Sequence, residues 1–161
     1  MKKRVPLCIM MVGLPGSGKS TLAYNFTIKN AANCPISFIT PHVHSSDSIR
    51  KELYGDEAVQ TDPAKVFAIL YSRICEDLKN GIDVIYDATN LVKNRRQQFL
   101  TEVLNGIECI PICIVVDTPF DICMKRNNSR TRMVPEYAMR RMRDQFEFPS
   151  IEEGFESVHI M

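Results

Sequence analysis

The octapeptide Gly13-Leu14-Pro15-Gly16-Ser17-Gly18-Lys19-Ser20 constrains this chain more than any other feature, because it matches GxxxxGK(S/T) in full. The apolar run Val5–Val12 precedes it and a helix-compatible stretch to about Asn30 follows it. The expected unit is therefore a strand, a tight loop and a helix. Gly13, Gly16 and Gly18 leave room for backbone N–H groups to turn inward around a triphosphate, where a side chain would block them. Ser17 and Thr21 flank that cradle, and the helix that begins there adds its own unpaired N–H groups. Lys19 is expected to reach the β- and γ-phosphates, and the Ser20 hydroxyl to ligate Mg²⁺.

Further strands and helices alternate along the chain. Ile36–Thr40 reads as a second strand closed by Pro41, and Ser46–Leu53 as a short helix capped by Ser45 or Ser46. Asp62 caps Pro63 at the start of a longer helix, whose apolar stripe is Val66, Ile69, Leu70, Ile74 and Leu78. Asn80-Gly81 ends that helix. Ile82–Asp87 is a third strand, Lys93–Leu104 a helix and Ile107–Asp117 a fourth strand. Thr118-Pro119 and Pro135 each open another helix, the second running to about Phe146, and Ser157–Met161 forms a last strand. Such alternation predicts an α/β three-layer sandwich: a mostly parallel sheet with helices on both faces. Residues 1–161 read as one unit of this kind, without repeat or linker.

Composition narrows the function. Twenty basic residues against nineteen acidic ones exclude a polycationic packager of nucleic acid. No apolar run reaches the ~20 residues a bilayer requires, so no membrane association is expected. Lys2-Lys3-Arg4 before an apolar run imitates a signal peptide, but a Gly-rich loop stands where a cleavage site belongs, and a cytoplasmic location is expected. The six cysteines form no CxxC pair and read as buried, reduced hydrophobes. Neither an NKxD guanine reader nor an LSGGQ transporter signature is present, which leaves ATP as the expected nucleotide.

The acceptor side begins after the second strand. Asp47 and Arg50 are three apart and share one face of a helical turn. A carboxylate there can take a proton from an attacking hydroxyl, and a guanidinium can hold an anionic substrate. The same pair also reads as a helix-dipole acid neutralised by its neighbour, and the phosphate loop tips the reading toward chemistry. Asp87 ends an apolar strand, the position from which a carboxylate orients Mg²⁺ or its waters. Thr89 and Asn90 either orient Asp87 or touch the acceptor, while Arg95 and Arg96 read as a solvated helix face.

Between Lys125 and Arg143 lie seven basic residues against Glu136 alone. Arg126 and Arg130 are four apart and present two guanidiniums on one face, an arrangement that neutralises charge developing between β- and γ-phosphates. Arg140, Arg141 and Arg143 read as a solvated face, and Met139 and Met142 as packing. His42-Val43-His44, with Asp47 near in sequence, has metal-ligand spacing but lacks residues to complete a site, so a loop role is expected.

Together these residues resemble the kinase domain of polynucleotide 5′-hydroxyl kinases, in the adenylate-kinase-like branch of P-loop proteins. The likeness rests on Gly13–Thr21, on Asp47–Arg50, on DATNL at Asp87–Leu91 with Arg95-Arg96, on RNNSR at Arg126–Arg130, and on Val134-Pro135. It implies that Asp47 is the general base on a 5′-hydroxyl, that Arg50 holds the acceptor's neighbouring phosphate, and that Arg126 and Arg130 are lid arginines on ATP. The phosphatase or ligase often fused to this domain has no counterpart in 161 residues. The expected activity is phosphoryl transfer from ATP, with Mg²⁺, to a polynucleotide 5′-end. A small-metabolite kinase and a nucleotide-dependent switch or ATPase are the alternatives.

Overall fold

A computed structural model describes residues 4–25 and 40–161. Five parallel strands, β1 (Leu7–Val12), β2 (His42–Ser45), β3 (Val84–Asp87), β4 (Ile110–Val115) and β5 (Ser157–Ile160), form one sheet in the order β2-β3-β1-β4-β5. The helices are α1 (19–25), α2 (Ser46–Tyr54), α3 (Pro63–Lys79), α4 (Lys93–Gln98), α5 (Phe120–Asn128) and α6 (Glu136–Asp144). Among the described residues no helix is long and apolar enough to cross a membrane.

β1 is the central strand, and its side chains alternate between two cores, as a period of two dictates. Cys8, Met10 and Val12 join Ile49 of α2 and Val66, Leu70, Ile74 and Leu78 of α3 on one face. Ile9 and Met11 face Ala23 of α1 on the other. A third cluster, built from Leu14, Leu91, Cys123 and Met139, seats α5 and α6 beside the loop after β1. The three-layer α/β sandwich expected from the sequence is the architecture observed.

Local signals behave as their chemistry requires. The Asp62 carboxylate accepts from the Lys65 N–H at 3.1 Å with Pro63 behind it, and Ser45 caps α2 through the Ser48 N–H. Two expectations are corrected. His42–His44, expected in a loop, lie on β2, while the strand expected over Ile36–Thr40 falls, apart from Thr40, outside the described residues. The helix expected over Lys93–Leu104 is α-helical only to Gln98, then widens into a π turn over Phe99–Val103. There Leu104 N–H bonds Phe99 O at 3.0 Å, while the Thr101 hydroxyl takes the Gln97 carbonyl at 2.8 Å and both Phe99 and Leu104 enter the core.

Candidate active site

β1 has β3 on one side and β4 on the other, so the loop leaving its carboxyl end sits where the strand order reverses, the place where open α/β sheets bind ligands. Register brings the acidic strand end there too: Met11 pairs with Asp87, and Asp87 with Ser45. The N-terminus of α2 follows directly from Ser45.

The phosphate loop is held from three directions. Gly13 N–H donates to Thr89 O at 3.1 Å, the Thr118 hydroxyl to Ser17 O at 2.8 Å, and Arg126 NH1 to Ser17 O at 3.2 Å and Gly16 O at 3.4 Å. Gly16 has φ +81°, and a Cβ there would lie 2.5 Å from the backbone oxygen of Cys123, so only glycine fits. Gly18 has φ +97°. Within this cradle the buried Ser17 Oγ and Asp87 Oδ1 have no hydrogen-bond partner. Buried polar atoms left so are costly unless a ligand meets them, and a hydroxyl on a phosphate loop with a carboxylate at a strand end suits a nucleotide and its divalent cation. Ser20 and Thr21 open α1 and are exposed.

Lys19 ties the two halves electrostatically. Burial pushes its ammonium below the ordinary lysine value, Arg130 adds to that, and the carboxylates of Asp87 and Asp47 oppose it. Donor-side lysine, strand-end acid and helix-start acid thus share one field, and Arg130 belongs to it.

Asp47 is half-exposed, with Oδ1 3.1 Å from Arg50 NH1 and 3.1 Å from Arg132 NH1. Arg50 is buried, and its Nε is without a partner. Arg132 had no assigned role in the sequence beyond membership of the basic run. The segment bearing Arg130 and Arg132 is closed by the fully buried Asn127, whose amide donates to Val134 O at 2.8 Å and accepts from Val134 N–H at 3.0 Å.

Asn90 is held by the backbone of its own loop and of β1. With φ +48° it turns its amide back to donate to Met11 O at 2.8 Å, joining the loop after β3 to the end of β1. Arg96 corrects the solvated-face expectation: it is buried and forms a two-pronged pair with Glu153, Nε and Nη2 each 2.8 Å from a carboxylate oxygen. Its NH1 donates to Asn90 O and Leu91 O, both at 2.9 Å. An arginine here carries the loop after β3 on a buried ion pair; Arg95 is exposed, as expected. Arg140 and Arg143 pair locally with Glu136 and Asp144, and Met139 is buried against α5.

Among the described residues Cys123 borders this site: its thiol donates to Thr118 O at 3.4 Å, and burial raises its pKa against the opposing pull of Arg126 and Lys19. Cys8, Cys113 and Cys123 are buried, and burial pushes the Cys113 thiol up to about 12. Cys34 lies outside the described residues.

Residues 8–149 match the AAA domain family. The chain is similar to L-seryl-tRNA(Sec) kinase of Methanococcus maripaludis, 27% identical over 145 residues that make up 89% of this chain and 53% of that protein. It is also similar to the bifunctional polynucleotide phosphatase/kinase of Schizosaccharomyces pombe, 26% identical over 156 residues, or 93% of this chain and 32% of that protein. The chain therefore spans about half or less of these curated relatives. Among solved structures, Kti12 of Chaetomium thermophilum in complex with ADP-AlF3 superposes with a TM-score of 0.75 at 18% identity, over 96% of this chain and 88% of that one.

Proposed function

The chain belongs to the AAA domain family, and on that premise we propose that it transfers the γ-phosphoryl group of ATP to a hydroxyl on a nucleic acid, a polynucleotide 5′-end. It is a P-loop kinase-like domain, and nucleotide binding belongs to that fold. Within the proposal, residues 1–161 act as one kinase unit.

One observation carries the acceptor side. Asp47 shares the field of Lys19 while standing against Arg50, a buried arginine whose Nε has no partner. An acid alone would suit any hydroxyl. A buried guanidinium beside it suits an acceptor that brings its own anion, as a nucleotide at a 5′-end does. One relative named for kinase action on a polynucleotide supports this, and another, named for kinase action on a seryl-tRNA, supports a nucleic-acid-bearing acceptor more broadly.

The roles follow from position. The N–H groups of residues 13–18 and Lys19 hold the triphosphate, with Ser17 and Thr21 beside them. Ser20 and Asp87 would hold Mg²⁺, which when bound neutralises charge on the β- and γ-phosphates. Asp47 takes the proton of the acceptor hydroxyl as its oxygen bonds to the γ-phosphorus and the bond to the β–γ bridging oxygen breaks, releasing ADP. Arg130 and Arg126 meet the charge that develops on the phosphates. Thr89 and Asn90 keep the loop after β3 against the phosphate loop, through Gly13 N–H and Met11 O.

The test is transfer of label from γ-labelled ATP to 5′-hydroxyl DNA and RNA oligonucleotides, beside a panel of small hydroxylated metabolites. Label on an oligonucleotide, lost in Lys19→Ala, is the expected result. Label only on a small metabolite overturns the nucleic-acid acceptor, and ATP binding without transfer to any acceptor favours a switch.

A further inference from the structure

Away from the phosphate loop, a second group of chemistry-bearing side chains converges on the edge of the sheet. His42 and His44 are two apart on the edge strand β2 and so share one of its faces, while Val43 packs into the opposite core. Their face is covered by α3, whose Asp77 meets both rings with the same oxygen. Oδ2 lies 2.9 Å from His42 Nδ1 and 2.6 Å from His44 Nε2. The three ligand atoms all lie within 4.8 Å of one another. The two imidazoles stand nearly edge to face, with ring planes 76° apart, so they approach the oxygen from different directions.

We propose that His42, His44 and Asp77 form a binding site for a first-row divalent transition-metal ion of the zinc type, clamping β2 to α3. Two neutral imidazoles and a carboxylate are a donor set this class of ion prefers. Ligand bonds of ~2.0–2.2 Å to one ion place tetrahedral donors ~3.3–3.6 Å apart, so Asp77 Oδ2 must part from His42 Nδ1 by about 0.5 Å and from His44 Nε2 by about 0.8 Å. His42 is free to move, since its side chain is 54% exposed, whereas His44 and Asp77, at 14% and 16%, must part by turning about their own side-chain bonds. That exposure also leaves solvent at the remaining coordination position. On binding, each neutral ring presents its unprotonated nitrogen to the ion, with its one N–H on the other ring nitrogen.

The two histidines were visible in the sequence, where Asp47 was their only nearby acid and no third ligand completed a site. The fold supplies that ligand from 33 residues beyond His44. His44 is followed at once by Ser45, which caps α2, the helix that carries Asp47 and Arg50. A metal here would brace the strand from which that helix departs. The site holds none of the residues assigned to nucleotide or acceptor, so it stands whether or not the kinase proposal does.

The experiment is calorimetric titration of ZnCl₂ into the tag-free, EDTA-treated full chain without nucleotide, with Co²⁺ as a spectroscopic probe and thermal melting alongside. One saturable equivalent is expected, with a raised melting temperature and a Co²⁺ spectrum free of thiolate charge transfer. His44→Gln and Asp77→Asn should each weaken binding by more than the ~10–100-fold that loss of an outer partner costs a metal site. His42→Gln changes the most exposed ligand and serves as the variant least able to disturb folding, checked by circular dichroism. No saturable binding, binding unchanged in all three variants, or a Co²⁺ spectrum dominated by thiolate would each overturn the site.

Discussion

Arg132, on the segment between α5 and α6, places NH1 3.1 Å from Oδ1 of Asp47, the oxygen that Arg50 also holds at 3.1 Å. One arginine comes from the acid's own helix and the other from the basic segment that also carries Arg130. The acid proposed to receive the acceptor proton is therefore gripped by arginines from two separate segments.

Removing the outer grip should loosen the acid without touching the nucleotide. A hydrogen bond to a charged group contributes ~1.5–3 kcal/mol, and partial exposure of this pair puts it at the low end. Arg132→Ala should lower kcat for phosphoryl transfer about tenfold while ATP affinity stays within about twofold. Steady-state kinetics with the ATP Kd measured separately checks this; an unchanged kcat would remove Arg132 from the site.

A second prediction concerns stability. Arg96 and Glu153 are both fully buried side chains, paired through two bonds of 2.8 Å. Breaking one partner strands the other charge, which typically costs ~3–5 kcal/mol. Glu153→Gln should lower the free energy of unfolding by about that amount in urea denaturation. Arg96→Lys should not preserve stability, because an ammonium cannot match the planar fork that also serves Asn90 O and Leu91 O.

These two pairs show what was legible in the sequence and what was not. The phosphate loop, the Asp62-Pro63 helix start and the Asp47–Arg50 turn are written in residues at most eight apart, and each forms as read. Arg96 reads as solvated in sequence because its partner lies 57 residues away, across a chain whose return path periodicity does not report. β2 is hidden in the sequence for another reason. As a four-residue edge strand of sequence HVHS it has one apolar residue, too little for an alternation signal. The role of Asn127 was hidden as well, since a buried asparagine clipping Val134 looks the same in sequence as an exposed one.

The lysine of the phosphate loop gives a pH prediction. Burial lowers the Lys19 pKa in the free protein, and bound phosphates would raise it again. Binding then favours the protonated amine, so nucleotide affinity should be greatest below the free-protein Lys19 pKa and fall as pH rises through it. Measured from neutral pH upward, ATP affinity should decline and binding should take up protons, seen as a dependence of the calorimetric heat on buffer ionisation. Lys19→Arg, charged throughout, should flatten the profile.

The most direct test is Asp47→Asn. Asparagine keeps the shape and can still accept from Arg50 and Arg132, but it cannot take a proton at neutral pH. With γ-labelled ATP and a 5′-hydroxyl oligonucleotide, the variant should lose ~10²–10⁴-fold in transfer rate while binding ATP as tightly as the parent. Transfer at the parental rate would contradict the assignment of Asp47 as the proton acceptor, and with it the mechanism proposed for this site.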